Sequence, residues 1–174
     1  MKIITYILAL VSLCVTSTVL ADMPKVGDMA PAFTGYDQNS NLVNSADIIG
    51  KKIVLLYFYP KDFTGGCTKE ACGFRDRMGD LQKDNVQVIG VSFDTEASHT
   101  AFIAKYHLNF TLLADSDGKI ADAYGTRMAG KDLAHRTSFL IGLDGKIAHV
   151  TNTGNPQVHF DEMKAAIESL QKPM

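Results

Sequence analysis

At 174 residues, with 46% hydrophobic and 21% charged side chains, the chain has the size and composition of one soluble domain with an ordinary buried core. A net charge of −2 gives no global attraction to nucleic acid or to an anionic membrane surface. Both drop out as default partners.

The chain opens on a leader pattern. Lys2 supplies a positive charge, residues 3–20 form a mostly apolar run without charge, and Val19-Leu20-Ala21 puts compact residues where a signal peptidase reads. The run is long enough to span a bilayer. Its Ser and Thr residues and the polar switch at Asp22 instead predict a signal peptide over residues 1–21, cleaved after Ala21. The mature chain, residues 22–174, is then expected to be exported to the periplasm without a membrane attachment. A lipid anchor at Cys14 is the weaker reading, because Leu13 is larger than the residue such a site usually takes. Cleavage would remove Cys14 and leave Cys67 and Cys72 as a pair in an oxidising compartment.

Residues 22–50 are turn-rich, with Pro24, Gly27, Pro31, Gly35 and an Asp37-Gln38-Asn39-Ser40-Asn41 cluster, and predict an extended arm or short hairpin ahead of the main fold. Residues 53–59 are an uninterrupted β-rich apolar run that suits a strand buried on both faces, and Pro60 ends it. After the Thr64-Gly65-Gly66 turn, Cys67, Ala71, Phe74, Met78 and Leu81 fall on one face of a helix reaching about Lys83. A second buried strand follows at residues 86–92, then a helix through residues 101–106, a short strand at 110–113 and a short helix at 120–124. Two runs at 138–141 and 147–150 flank Asp144-Gly145, a strong hairpin signal. Phe160, Met163, Ile167 and Leu170 mark a closing amphipathic helix. This is an α/β order with a central mixed sheet flanked by helices, the order of the thioredoxin-like architecture. Without internal repeats or a linker, residues 22–174 read as one domain.

Cys67 stands in the first turn of the predicted helix. Unpaired N–H groups and a partial positive charge gather at a helix N-terminus and stabilise a thiolate. The Gly65-Gly66 turn lets backbone approach a ligand closely, and the hydroxyl of Thr64 can point at the same spot. Such donors also suit a peroxide, whose leaving oxygen gains negative charge as the O–O bond breaks. Taken alone, a cysteine on an apolar helical face is more often a small buried hydrophobe. The five histidines show no regular metal-ligand spacing and read as surface or packing residues.

The segment from Tyr59 to Asp76, with Pro60, Thr64, Cys67 and Cys72, resembles the peroxidatic segment of peroxiredoxins, and most closely the bacterioferritin-comigratory (peroxiredoxin Q) subfamily. The likeness runs from about Pro31 to Leu170 and includes His135-Arg136-Thr137-Ser138-Phe139-Leu140-Ile141. Carried over by residue, it implies that Cys67 attacks a hydroperoxide, Pro60 shields the site from water and Thr64 bonds the bound oxygen. Arg136 would polarise the substrate and stabilise the thiolate, Glu70 would orient Arg136, and Cys72 would be the resolving cysteine. It implies no metal, flavin or haem, a thioredoxin-like dithiol protein as reductant, and a monomer. Gly65 and Gly142 depart from the proline and aspartate that relatives often carry there; neither touches a catalytic group.

Residues five apart on a helix are separated by roughly 7.5 Å along the axis and point about 140° apart, so their Cα atoms lie about 8–9 Å apart. A disulfide needs about 4.4–6.8 Å. A Cys67–Cys72 bond therefore requires the helix to unwind locally, which Gly65, Gly66 and Gly73 make less costly. Two other classes share the fold: a dithiol exchange protein, which would use Cys-x-x-Cys, and a copper-delivery protein with two cysteines and a distant histidine. The spacing here, four intervening residues, matches neither.

Overall fold

The computed structural model describes residues 22–171; the expected leader, with Cys14, lies outside them. In chain order the elements are β1 (Thr34–Asp37), β2 (Leu42–Asn44), β3 (Ile53–Phe58), α1 (Gly65–Lys83), β4 (Val86–Ser92) and α2 (Glu96–Tyr106). They continue with β5 (Thr111–Ala114), α3 (Lys119–Ala123), β6 (Thr137–Ile141), β7 (Ile147–Thr151) and α4 (Pro156–Gln171). The strands form one seven-stranded sheet in the order β2-β1-β5-β4-β3-β6-β7. Pairing is parallel for β3/β4 and β4/β5 and antiparallel elsewhere, so the sheet is mixed as expected.

The unbroken apolar run of β3 is explained by its place between β4 and β6, where every one of its side chains is buried. Strand alternation then sorts these residues into two cores. Ile53, Leu55 and Tyr57 join Phe74 and Met78 of α1, Phe102 of α2, and Phe160, Met163 and Ile167 of α4. Val54, Leu56 and Phe58 face the other way, against Ile120, Ala121, Tyr124 and Phe139. Burying one such large side chain is worth about 1.5–3 kcal/mol, so α1 is held by its apolar stripe more than by helix propensity.

The N-terminal region is more than an arm. β1 and β2 form the expected hairpin, but β1 also pairs with β5 through Tyr36↔Ala114 and Asp37↔Leu113, which makes the hairpin the edge of the main sheet. At the other edge, β6 and β7 flank the predicted Asp144-Gly145 turn, with Gly145 at φ +77°.

Candidate active site

The loop between β3 and α1 is pinned by a carboxylate. Asp62 is buried and accepts from the Tyr59 hydroxyl (2.8 Å) and the Ser98 hydroxyl (2.7 Å), with His99 Nδ1 at 2.9 Å. Its own N–H donates to Asp94 Oδ2 at 2.8 Å, and His99 Nε2 lies 3.1 Å from the Leu113 carbonyl. Burial pushes the Asp62 carboxyl up, but hydrogen bonds from His99, Ser98 and Tyr59 outweigh it and hold the group below its ordinary range. Phe63 then takes a left-handed φ of +60°, uncommon for a bulky residue, with its ring 5.1 Å from that of Phe102.

From this anchored loop the chain enters α1 with Thr64 at the N-cap and Cys67 as the third helical residue. The first intrahelical bond is Thr68 N to Thr64 O at 2.8 Å, so the N–H groups of Gly65, Gly66 and Cys67 are left at the helix end. Cys67 is only 2% exposed. Arg136, immediately before β6, reaches across to it: Nη2 donates to Cys67 Sγ at 3.3 Å, while Nη1 donates to Glu70 Oε2. The guanidinium passes so close over Gly66 that a Cβ there would meet Nη2 at 3.2 Å. The glycine the sequence offered as room for a ligand makes room for the arginine.

Glu70 is fully buried on the apolar face of α1. Burial pushes its carboxyl up to about 7, partly opposed by the charge and hydrogen bond of Arg136. Arg136 remains protonated: burial alone would lower it, but Glu70 and Cys67 together raise it. Cys67, Arg136 and Glu70 thus form one connected group.

The remaining expected residues, Pro60, Thr64 and Cys72, sit on the loop before α1 and on α1 itself. Thr64 is exposed at the helix end, and its hydroxyl donates to the Lys61 carbonyl at 3.1 Å. Pro60 is half-buried just past β3 and lines a shallow cleft with Phe93, Asp94 and Leu133. Cys72 is half-buried further along α1, with Arg75 beside it. Both thiols are free and α1 runs unbroken through them. Of the histidines read as surface or packing residues, His99 and His159 are fully buried. Each sits on the apolar face of its helix, three residues before Phe102 and four before Met163, which is the signal that marks them.

A buried cysteine at the N-terminus of a helix in a thioredoxin-like fold, with an arginine on its sulfur, marks a thiol oxidoreductase. The AhpC/TSA family model matches residues 26–150. Peroxiredoxin Bcp of Escherichia coli is 45% identical over 143 residues, covering 79% of this chain and 91% of the relative. Chloroplastic peroxiredoxin Q of Populus jackii is 37% identical over 164 residues, covering 90% and 73%. Among solved structures, peroxidoxin BcpB of Mycobacterium tuberculosis superposes with a TM-score of 0.80 at 29% identity, over 86% of this chain and 99% of that one. The chain belongs to the AhpC/TSA family, among relatives named peroxiredoxin Bcp and peroxiredoxin Q, and is a thiol-dependent peroxidase.

Proposed function

We propose that this peroxidase reduces hydrogen peroxide and organic hydroperoxides in an exported setting, with Cys67 as nucleophile and Cys72 as resolving thiol. The observation that carries the reading is Arg136 Nη2 at 3.3 Å from Cys67 Sγ, beside the free N–H groups at the start of α1. The Cys67 thiolate attacks one peroxide oxygen. The S–O bond forms, the O–O bond breaks, and the departing oxygen leaves as water or an alcohol after taking a proton. Arg136 and the helix-end N–H groups supply hydrogen bonds to the oxygen that gains charge. Thr64 contributes its hydroxyl at the same end of the helix, and Pro60, in the loop after β3, shields the site from water.

The sulfenic acid on Cys67 is then attacked by Cys72 as thiolate, expelling water and forming a disulfide. The intact helix holds the two Cα atoms about 8–9 Å apart, so α1 unwinds locally at this step. A dithiol protein of thioredoxin type reduces the disulfide. The leader at residues 1–21 supports export to the periplasm, and the likeness to peroxiredoxin Q supports a monomer.

Peroxide consumption by the mature chain from Asp22, with and without a dithiol reductant, tests the assignment. Cys67→Ser is expected to abolish consumption. Cys72→Ser is expected to consume one equivalent and stop as a sulfenic acid that mass spectrometry detects. Multiple turnover by Cys72→Ser with a dithiol protein, at the wild-type rate, would remove Cys72 from the cycle.

A further inference from the structure

His159, four residues into α4, is fully buried. Its Nε2 lies 2.6 Å from the Ser138 hydroxyl on β6, and its Nδ1 faces Glu70 Oε1 at 3.4 Å. These two facing atoms, Nδ1 and Oε1, are both buried, and neither makes a hydrogen bond among the described residues, so the 3.4 Å contact is what brings them together. Two buried polar atoms left apart would each cost about 1–3 kcal/mol, and one shared proton satisfies both. The remaining groups around the ring are Arg136, Glu162, His149 and the backbone of Thr153. Burial, then the charge of Arg136, pushes the imidazole down to about 4, so it is neutral at pH 7. Where the Ser138 hydroxyl donates to Nε2, the single ring proton lies on Nδ1, the nitrogen that faces Glu70.

Each polar group in the row is divided between two neighbours. Arg136 gives Nη2 to Cys67 and Nη1 to Glu70; Glu70 gives Oε2 to Arg136 and Oε1 to the histidine; the histidine turns its far nitrogen to Ser138. Ser138 on β6 stands two residues after Arg136, so the row returns to the chain segment that carries the arginine.

We propose that His159 is a positioning residue for peroxide reduction: its Nδ1–H holds the Glu70 carboxylate, which in turn holds Arg136 against Cys67. This rests on the assignment of Cys67 as the nucleophile. Without the histidine, Glu70 loses a donor to its charged form, takes up a proton more readily and releases its grip on Nη1. Arg136 is then free to swing away. The N–H groups at the start of α1 still face the sulfur, so Cys67 keeps its reactivity toward a reagent that needs no arginine.

The test compares two reactions of Cys67 in the full mature chain. Alkylation by iodoacetamide needs only a thiolate, whereas peroxide reduction also needs Arg136 in place. In His159→Leu, the peroxide rate constant at pH 7 is expected to fall about 10-fold or more, with alkylation within about twofold of wild type. His159→Asn, which keeps a donor near the Nδ1 position, is expected to recover most of the loss and supplies the same comparison should the leucine variant fold poorly. In a Glu70→Gln background, replacing His159 should cost little more, because the two act through one contact. If the peroxide rate is unchanged, if both reactions fall together, or if the two substitutions add, the proposal is overturned. A wild-type protein inert to peroxide would overturn the nucleophile assignment itself, a different result.

Discussion

The ring of Phe160 on α4 closes so far over Gly73 of α1 that a Cβ on the glycine would stand 2.1 Å from Cζ and 2.3 Å from Cε2. Phe74 packs against the same ring at 4.8 Å and the Arg77 guanidinium lies 4.7 Å above it. Gly73 directly follows Cys72, so α4 rests on the segment that must unwind for a Cys67–Cys72 disulfide. In Gly73→Ala the ring has to move. Overpacking of this kind costs about 1–3 kcal/mol, and so severe an overlap belongs at the upper end, beyond the ~1 kcal/mol that alanine gains as a helix former. The variant is expected to melt at a lower temperature and to pass from sulfenic acid to disulfide faster than wild type. Thermal unfolding and rapid-quench mass spectrometry measure the two effects. Unchanged melting with unchanged closure would show that Phe160 does not restrain α1.

Glu70 and His159 should pull the pH dependence of stability in opposite directions. Burial raises Glu70 from 4.5 to about 7 and lowers His159 from 6.5 to about 4. Between 4.5 and 7 the folded chain keeps a proton on Glu70 that the unfolded chain has lost, so this contribution to stability declines as pH rises. Between 6.5 and 4 the unfolded chain takes up a proton that the buried imidazole refuses, so that contribution declines as pH falls. In the wild type the two offset each other over most of this window. Glu70→Gln is expected to lose stability from pH 6.5 down to 4, and His159→Asn from pH 4.5 up to 7, each on the order of 1–3 kcal/mol. Urea midpoints across pH 4 to 7 decide it; parallel curves for all three proteins would contradict the opposed titrations.

The parts of this molecule that were legible in the sequence are those set by local pattern. The run 53–59 announced the central strand, which ends at Phe58, the Cys67-Ala71-Phe74-Met78 stripe announced the buried face of α1, and Asp144-Gly145 announced the β6–β7 turn. What depended on distant partners was not legible. β1 has a mixed burial pattern and only four residues, and its pairing with β5 joins positions far apart in the chain, so no short-range signal distinguishes an arm from a sheet edge. His99 and His159 are recognisable as buried by their helical spacing, yet their partners Asp62 and Glu70 lie on other elements. Likewise Arg136 alone is an ordinary arginine. Only the likeness to peroxiredoxins paired it with Cys67 and Glu70 before the fold brought them together.

The loop that delivers Thr64 and Cys67 depends on Asp62, and its variants should rank by how many donors they strand. Asp62→Ala removes the acceptor from the Tyr59 hydroxyl, the Ser98 hydroxyl and the His99 ring at once. Each buried group left unpaired costs about 1–3 kcal/mol, so a loss of roughly 3 kcal/mol or more is expected. His99→Phe keeps the carboxylate and two of its donors, and should cost less, about 1–2 kcal/mol. Because the Asp62 carboxyl is held below its ordinary range, its contribution is present above that range and fades as pH falls through the lowered value. The gap in stability between wild type and Asp62→Ala should therefore narrow in acid. The peroxide rate should follow the same ranking, since Asp62 directly precedes Phe63, whose left-handed turn leads into α1. Equal destabilisation by the two variants, or an Asp62→Ala protein with wild-type peroxide kinetics, would show that the carboxylate is not what sets the entry to the catalytic helix.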